Sequence, residues 1–258
     1  MKSQRKRLIA LIVVGAAAAA LAAVYAEDAF LWYRKRQAWS KVSSYPPRER
    51  ATLNSVLADE VRALATPVSG LQRISCEVNG YRFSFPAAEF RRTADANDGF
   101  DGAKVTLRCL GVAPRTADLQ AEYQPSSEAV AAYLAQSDPY DLLVEAFRTS
   151  PADISMQTTG DGLQKVLYLL FLKSAYQPVG SEKLFERFQA NGRKGVLAGD
   201  HTCETLVVLL YLPETREFAE LVIGNKGLAD MAPVYRCLGL LTVRRAEGKQ
   251  PPPPNAGK

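Results

Sequence analysis

The chain has 258 residues, 47% of them hydrophobic and 23% charged, which suits a folded globular protein and excludes a disordered or collagen-like one. Its formal charge of +5 at pH 7 is unevenly spread: residues 1–65 hold 11 Lys and Arg against 5 Asp and Glu, and residues 66–245 hold 19 against 21. The folded part is therefore nearly neutral. This excludes a nucleic-acid partner bound through a basic surface and leaves the positive excess beside a hydrophobic run.

That run is LIALIVVGAAAAALAAVYA, residues 8–26, and it carries no charge. About 20 apolar residues at 1.5 Å rise span a hydrocarbon core of about 30 Å. Residues 1–7 hold Lys2, Arg5, Lys6 and Arg7, which keep this end cytoplasmic and send the rest of the chain outward. The expectation is a single-pass inner-membrane protein whose C-terminal domain lies in the periplasm. The run is longer than a signal core, and the aromatics and charges of FLWYRKR (30–36) follow it, so a retained anchor is preferred. The alternative is a signal peptide cut after Ala26, leaving a soluble periplasmic protein.

Residues 27–67 form a juxtamembrane linker. Within it Leu53, Val56, Leu57, Val61 and Leu64 recur at helical spacing between Pro47 and Pro67, predicting an amphipathic helix over 47–65. Its stripe either packs on the domain that follows or pairs with a protein partner or a second copy.

Residues 68–245 are the expected exported domain. ISCEVNGYRFSFP (74–86) reads as a hairpin about Asn79-Gly80, with Ile74, Cys76, Val78, Tyr81, Phe83 and Phe85 on one apolar face. KVTLRCLGV (104–112) alternates with Val105, Leu107 and Cys109 on one side. SSEAVAAYLAQ (126–136) and DPYDLLVEAFRTSP (138–151) read as capped helices, the second with Asp138 as N-cap and Pro139 at the first position. LQKVLYLLFLK (163–173), almost continuously apolar, reads as a central strand. SEKLFERFQANGRKGVLAG (181–199) fits either a short helix or a hairpin about Asn191-Gly192. ETLVVLLYLPETREFAELVIGN (204–225) is a hairpin turning at 213–216, and a helix starting near Asp230 runs through MAPVYRCLGLLTV. Residues 246–258 are a polar, proline-rich tail. Together these predict an α+β fold with a largely antiparallel sheet packed by helices.

The segments GYRFSFP, GRKGVLAGD, AELVIGN and VYRCLGLLTV, with helices in the middle, form a sequence of elements over roughly 72–243. That order resembles the PsbP-like family of photosystem II extrinsic proteins. The resemblance implies an α/β sandwich and transfers no site residue.

Four cysteines, Cys76, Cys109, Cys203 and Cys237, all follow the hydrophobic run. In an exported domain an even number suggests two disulfides, and their positions favour the local pairs Cys76 with Cys109 and Cys203 with Cys237; four buried thiols are the cytoplasmic alternative. Two polar clusters are candidate sites. GDHTCET (199–205) places the only histidine, His201, beside Asp200 and Cys203, as a thiolate–imidazole pair or half a metal site would need. DANDGFDG (95–102) gathers Asp95, Asn97, Asp98 and Asp101 as oxygen donors but lacks the spacing of a helix-loop-helix calcium site. No phosphate-binding, hydrolase-elbow or zinc-protease motif occurs, and no metal or other cofactor is implied. The reading is a membrane-anchored envelope module that binds or scaffolds. The rival is an exported enzyme using Cys203 and His201, or carboxylates gathered by the fold.

Overall fold

The computed structural model describes residues 57–65, 70–93, 98–112, 127–154, 158, 160–175 and 185–246, with isolated positions between 25 and 40. Nearly all of the hydrophobic run 8–26, the first part of the expected helix 47–65, the loop residues Asp95 and Asn97, and the tail beyond Ala246 lie outside the described residues. Among the described residues no helix is long and apolar enough to cross a membrane.

Two Asn-Gly turns organise the strands. Asn79 and Gly80 take φ of 51° and 80°, the left-handed values that a two-residue hairpin turn requires. They join β2 (Arg73–Val78) to β3 (Tyr81–Pro86), and Val78, Cys76 and Ile74 stand opposite Tyr81, Phe83 and Phe85 as the alternation predicts. Asn191 and Gly192, at 52° and 76°, make the same turn between β7 (Phe185–Ala190) and β8 (Arg193–Ala198), so the ambiguous segment is a hairpin. β9 (Thr205–Leu212) and β10 (Glu217–Asn225) form the third hairpin.

Among the described residues the strands build two sheets. The larger has eight, ordered β1-β7-β8-β9-β10-β6-β5-β4, with β1 (Leu57–Ala63), β4 (Phe90–Arg92), β5 (Gly99–Gly102) and β6 (Val105–Val112). The smaller is ordered β11-β3-β2, with β11 at Thr242–Arg245. All ladders are antiparallel except β1 on β7. Helices α1 (Glu128–Gln136), α2 (Pro139–Arg148) and α3 (Gly160–Ala175) precede β7, and α4 (Ala232–Leu240) connects β10 to β11. Ser127 Oγ caps α1, and the Asp138 carboxylate accepts from Tyr140 and Asp141 N–H at the start of α2.

Both faces of the large sheet are covered. Phe83, Phe85, Cys76 and Val243 of the small sheet, with Val234 and Leu238 of α4, bury one face through Leu107, Leu210, Leu221 and Ile223. Leu142, Phe147, Tyr168 and Phe171 of α2 and α3 bury the other through Val196, Leu209, Tyr211 and Phe218. The result is a three-layer α+β domain, and it explains why β9 reads LVVLLYL without alternation.

Three sequence expectations are corrected. Residues 163–173 lie in helix α3, not in a strand: a run apolar on all sides has no period to separate the two, and with one β-branched residue, Val166, it favours helix. Leu57–Ala63 is a strand, not part of an amphipathic helix. The edge of β7 offers backbone partners that outweigh local propensity, and Arg187 adds side-chain donation to the carbonyls of Ala58 and Asp59. The helical stripe proposed for partner pairing therefore does not exist over 57–63. The final helix stops at Leu240, because Leu241 turns to extended backbone and Thr242–Arg245 adds to β3.

Candidate functional site

The two clusters marked in the sequence are bound up internally. In the loop after β8, Asp200 Oδ1 accepts from the N–H and hydroxyl of Thr202 at 2.8 and 2.5 Å, and the Cys203 thiol exchanges contacts with Asp200 N (3.4 Å) and Oδ1 (3.8 Å). Asn225 Nδ2 donates to the carbonyls of His201 and Cys203, which pins the loop to the end of β10. Cys203 is thus joined to Asp200 in a turn, and no hydrogen bond links it to the imidazole of His201. Asp98 pairs with Arg108 at 3.0 Å, and Asp101 is held by Lys226 and, at 2.8 Å, by Arg91. Those cations keep the Asp101 carboxyl below its usual range, Lys226 first. Both described carboxylates of this loop are thus occupied by basic side chains.

All four cysteines are free thiols in the structure, so neither expected disulfide is formed there. Cys76 and Cys109 nonetheless belong to one core although their strands lie in different sheets. The neighbouring Cys76 thiol, and then burial, push the Cys109 thiol above its ordinary range. Cys237 lies buried on α4, where burial pushes its thiol up, and Cys203 sits in its turn with Asp200.

A site that the sequence did not mark lies at the β11 edge of the small sheet. A cleft of about 660 Å³ is lined by Arg73, Arg82, Arg193 and Arg244, from β2, β3, β8 and β11. Ser84 and Thr242 stand among them, over an apolar floor that includes Phe188, Leu210 and Leu238, and no acidic residue belongs to its described lining. Strand pairing sets this arrangement. Across the β3–β11 ladder Arg82 faces Arg244 and Ser84 faces Thr242. Asn191 Nδ2 donates to the carbonyls of Gly239 and Leu241, tying the β7–β8 turn to the junction of α4 and β11 and so bringing Arg193 to the same edge.

The four guanidinium groups differ in their partners. Arg82 meets Glu77 at 2.6 Å, and Arg193 meets Glu214 in a two-point contact at 2.6 and 3.0 Å. Among the described residues Arg73 Nη2 donates to two neutral carbonyls, Ser84 at 2.8 Å and Leu240 at 2.5 Å, and its Nε is buried without a hydrogen-bond partner. Burial and then the neighbouring Arg244 lower the pKa of Arg73, the mark of like charges held close. No ion pair among the described residues holds Arg244 itself.

A second cleft of about 620 Å³ opens between α4 and the β4–β6 edge. Arg236 bridges it to Glu89 through two bonds of 2.8 and 2.9 Å, and Phe90, Val105 and Pro233 line its walls. Its four charged lining residues, Glu89, Lys104, Asp230 and Arg236, sum to zero, in contrast to the arginine cleft.

Comparison of the chain with family models, curated proteins and solved structures finds no match.

Proposed function

We propose that this chain is a membrane-tethered binding module of the cell envelope, whose α+β domain seats its ligand in the arginine cleft at the β11 edge. The observation that carries this reading is a cleft with four arginines and no acid in its described lining. Uniform charge in a concave site is costly to the fold and concentrates an oppositely charged ligand. The tether is supported by the uncharged run 8–26 and by Tyr25, Phe30, Trp32 and Tyr33 at its far end, all exposed, as aromatic side chains at a bilayer interface are. A binding role is preferred over the rival enzyme because the Cys203 thiol is engaged by Asp200.

The test is native mass spectrometry of the full chain extracted in detergent from the inner-membrane fraction. A small molecule that stays bound, is released unchanged, and is lost from Arg73→Ala protein is the expected result. Recovery in the soluble fraction contradicts the tether, and a bound species unaffected by Arg73→Ala contradicts the cleft.

A further inference from the structure

The charge balance of the cleft points to its ligand. Glu77 and Glu214 neutralise Arg82 and Arg193 from outside the lining, which leaves Arg73 and Arg244 as two positive charges without a carboxylate among the described residues. Arg244 is also directly opposite Arg82 in the ladder, a cross-strand like-charge pair of the kind sheets avoid. Arg73 is bent over the sheet onto two backbone carbonyls, with its Nε buried and unpartnered. Such groups suit a bound acceptor better than bulk solvent.

A monocarboxylate would satisfy half of this charge, and a dicarboxylate would divide its two charges between separate groups. A phosphoryl group places about two negative charges and three acceptor oxygens on one centre, and guanidinium forks match its geometry. The Ser84 and Thr242 hydroxyls, paired on the same two strands, add neutral donors beside the arginines. The lining also carries Leu71, 43% exposed, above the buried Phe188, Leu210 and Leu238, so the rest of the ligand is organic and not a bare ion.

Resting on the binding reading above, we propose that the cleft takes the phosphoryl group of an organic phosphate between Arg73 and Arg244, with the ligand's apolar part against Leu71. The same chemistry is offered by a phosphatidate head group in the adjoining bilayer and by a soluble phosphomonoester.

The experiment uses the full chain in detergent, titrated calorimetrically with hexyl phosphate, hexanoate, inorganic phosphate, dihexanoyl phosphatidate and dihexanoyl phosphatidylcholine. Hexyl phosphate should bind more tightly than either inorganic phosphate or hexanoate. Arg244→Ala and Arg73→Lys should each weaken it tenfold or more, whereas Arg245→Ala, on the neighbouring residue outside the lining, should leave it within twofold. Dihexanoyl phosphatidate binding more tightly than hexyl phosphate, with dihexanoyl phosphatidylcholine not binding, assigns the lipid source; hexyl phosphate binding as tightly as phosphatidate or more tightly assigns the soluble one. Hexanoate binding as tightly as hexyl phosphate overturns the phosphoryl assignment while the binding module stands. Hexyl phosphate binding that is indifferent to Arg244→Ala and Arg73→Lys overturns the assignment to this cleft. If no probe binds and native mass spectra of the extracted chain carry no ligand, both readings fall together.

Discussion

Cys76 on β2 and Cys109 on β6 belong to one core although their strands lie in different sheets, and that core excludes water from both thiols. A disulfide there would tie the small sheet to the large one. In the presence of oxidised glutathione and enough urea to open this core transiently, one thiolate of the pair attacks the glutathione disulfide and releases one glutathione. The other thiolate then displaces the second glutathione, so two thiols are oxidised and one glutathione disulfide is reduced. On the chain-entropy model, closing a loop of this length stabilises the fold by roughly 3–4 kcal/mol. Alkylation after denaturation, with mass spectrometry of the oxidised protein, should find Cys76 and Cys109 linked. Four labelled thiols after prolonged oxidation would argue against the link.

Lys173 on α3 has 0% relative exposure, donates from Nζ to Thr149 O at 3.0 Å, and is brought down to about 8 by burial. Unfolded lysine holds its proton to about 10.4. Between those values the unfolded state binds more protons, so stability from this group rises with pH; below about pH 8 the fold carries the full cost of a buried ammonium. Urea unfolding of wild type and Lys173→Met at pH 7.5 and 10 should show their difference moving toward wild type by about 2 kcal/mol. The cysteines and tyrosines are common to both proteins and cancel in that difference. A difference independent of pH would show that Lys173 titrates normally.

Asn191 occupies a left-handed position, φ 52°, and donates to Gly239 O and Leu241 O at 3.1 and 2.6 Å. Asn191→Ala loses both bonds and puts alanine where L residues are strained, so it should destabilise by about 2–3 kcal/mol. Asn191→Gly keeps the turn and loses only the bonds, so its cost should be smaller by about 1 kcal/mol. Chemical denaturation of the two variants checks the order. Equal losses would mean that the turn conformation contributes nothing.

What the sequence disclosed was mostly local. The β2–β3 hairpin is legible because Asn-Gly sets the turn and strict alternation sets the register, and Asp138-Pro139 announces α2 through capping chemistry. Helix α3 is hidden because burial on all sides removes its periodicity. Strand β1 is hidden because its apolar spacing suits a helix, and only the free edge of β7 makes it extended. β11 continues the apolar pattern of α4 and becomes visible only once β3 is known to lack a neighbour. The arginine cleft follows from these last facts. Arg82 and Arg244 are far apart in the chain and meet only through the β3–β11 ladder, and Arg193 joins them through the Asn191 bonds. His201 and the aspartates of 95–102 drew notice as clusters in sequence, yet the described members hold their own loops together.

The central claim is that the arginine cleft is charged for a ligand and not for the fold, and Arg244→Thr tests it most directly. Thermal unfolding in a buffer without polyvalent anions should show the variant as stable as wild type or more stable by about 0.3–1 kcal/mol, because a like-charge neighbour of Arg73 and Arg82 is gone. Addition of hexyl phosphate should then raise the unfolding temperature of wild type and leave that of the variant unmoved. A variant that unfolds earlier than wild type without ligand, or that keeps the full ligand-induced rise, would contradict the account.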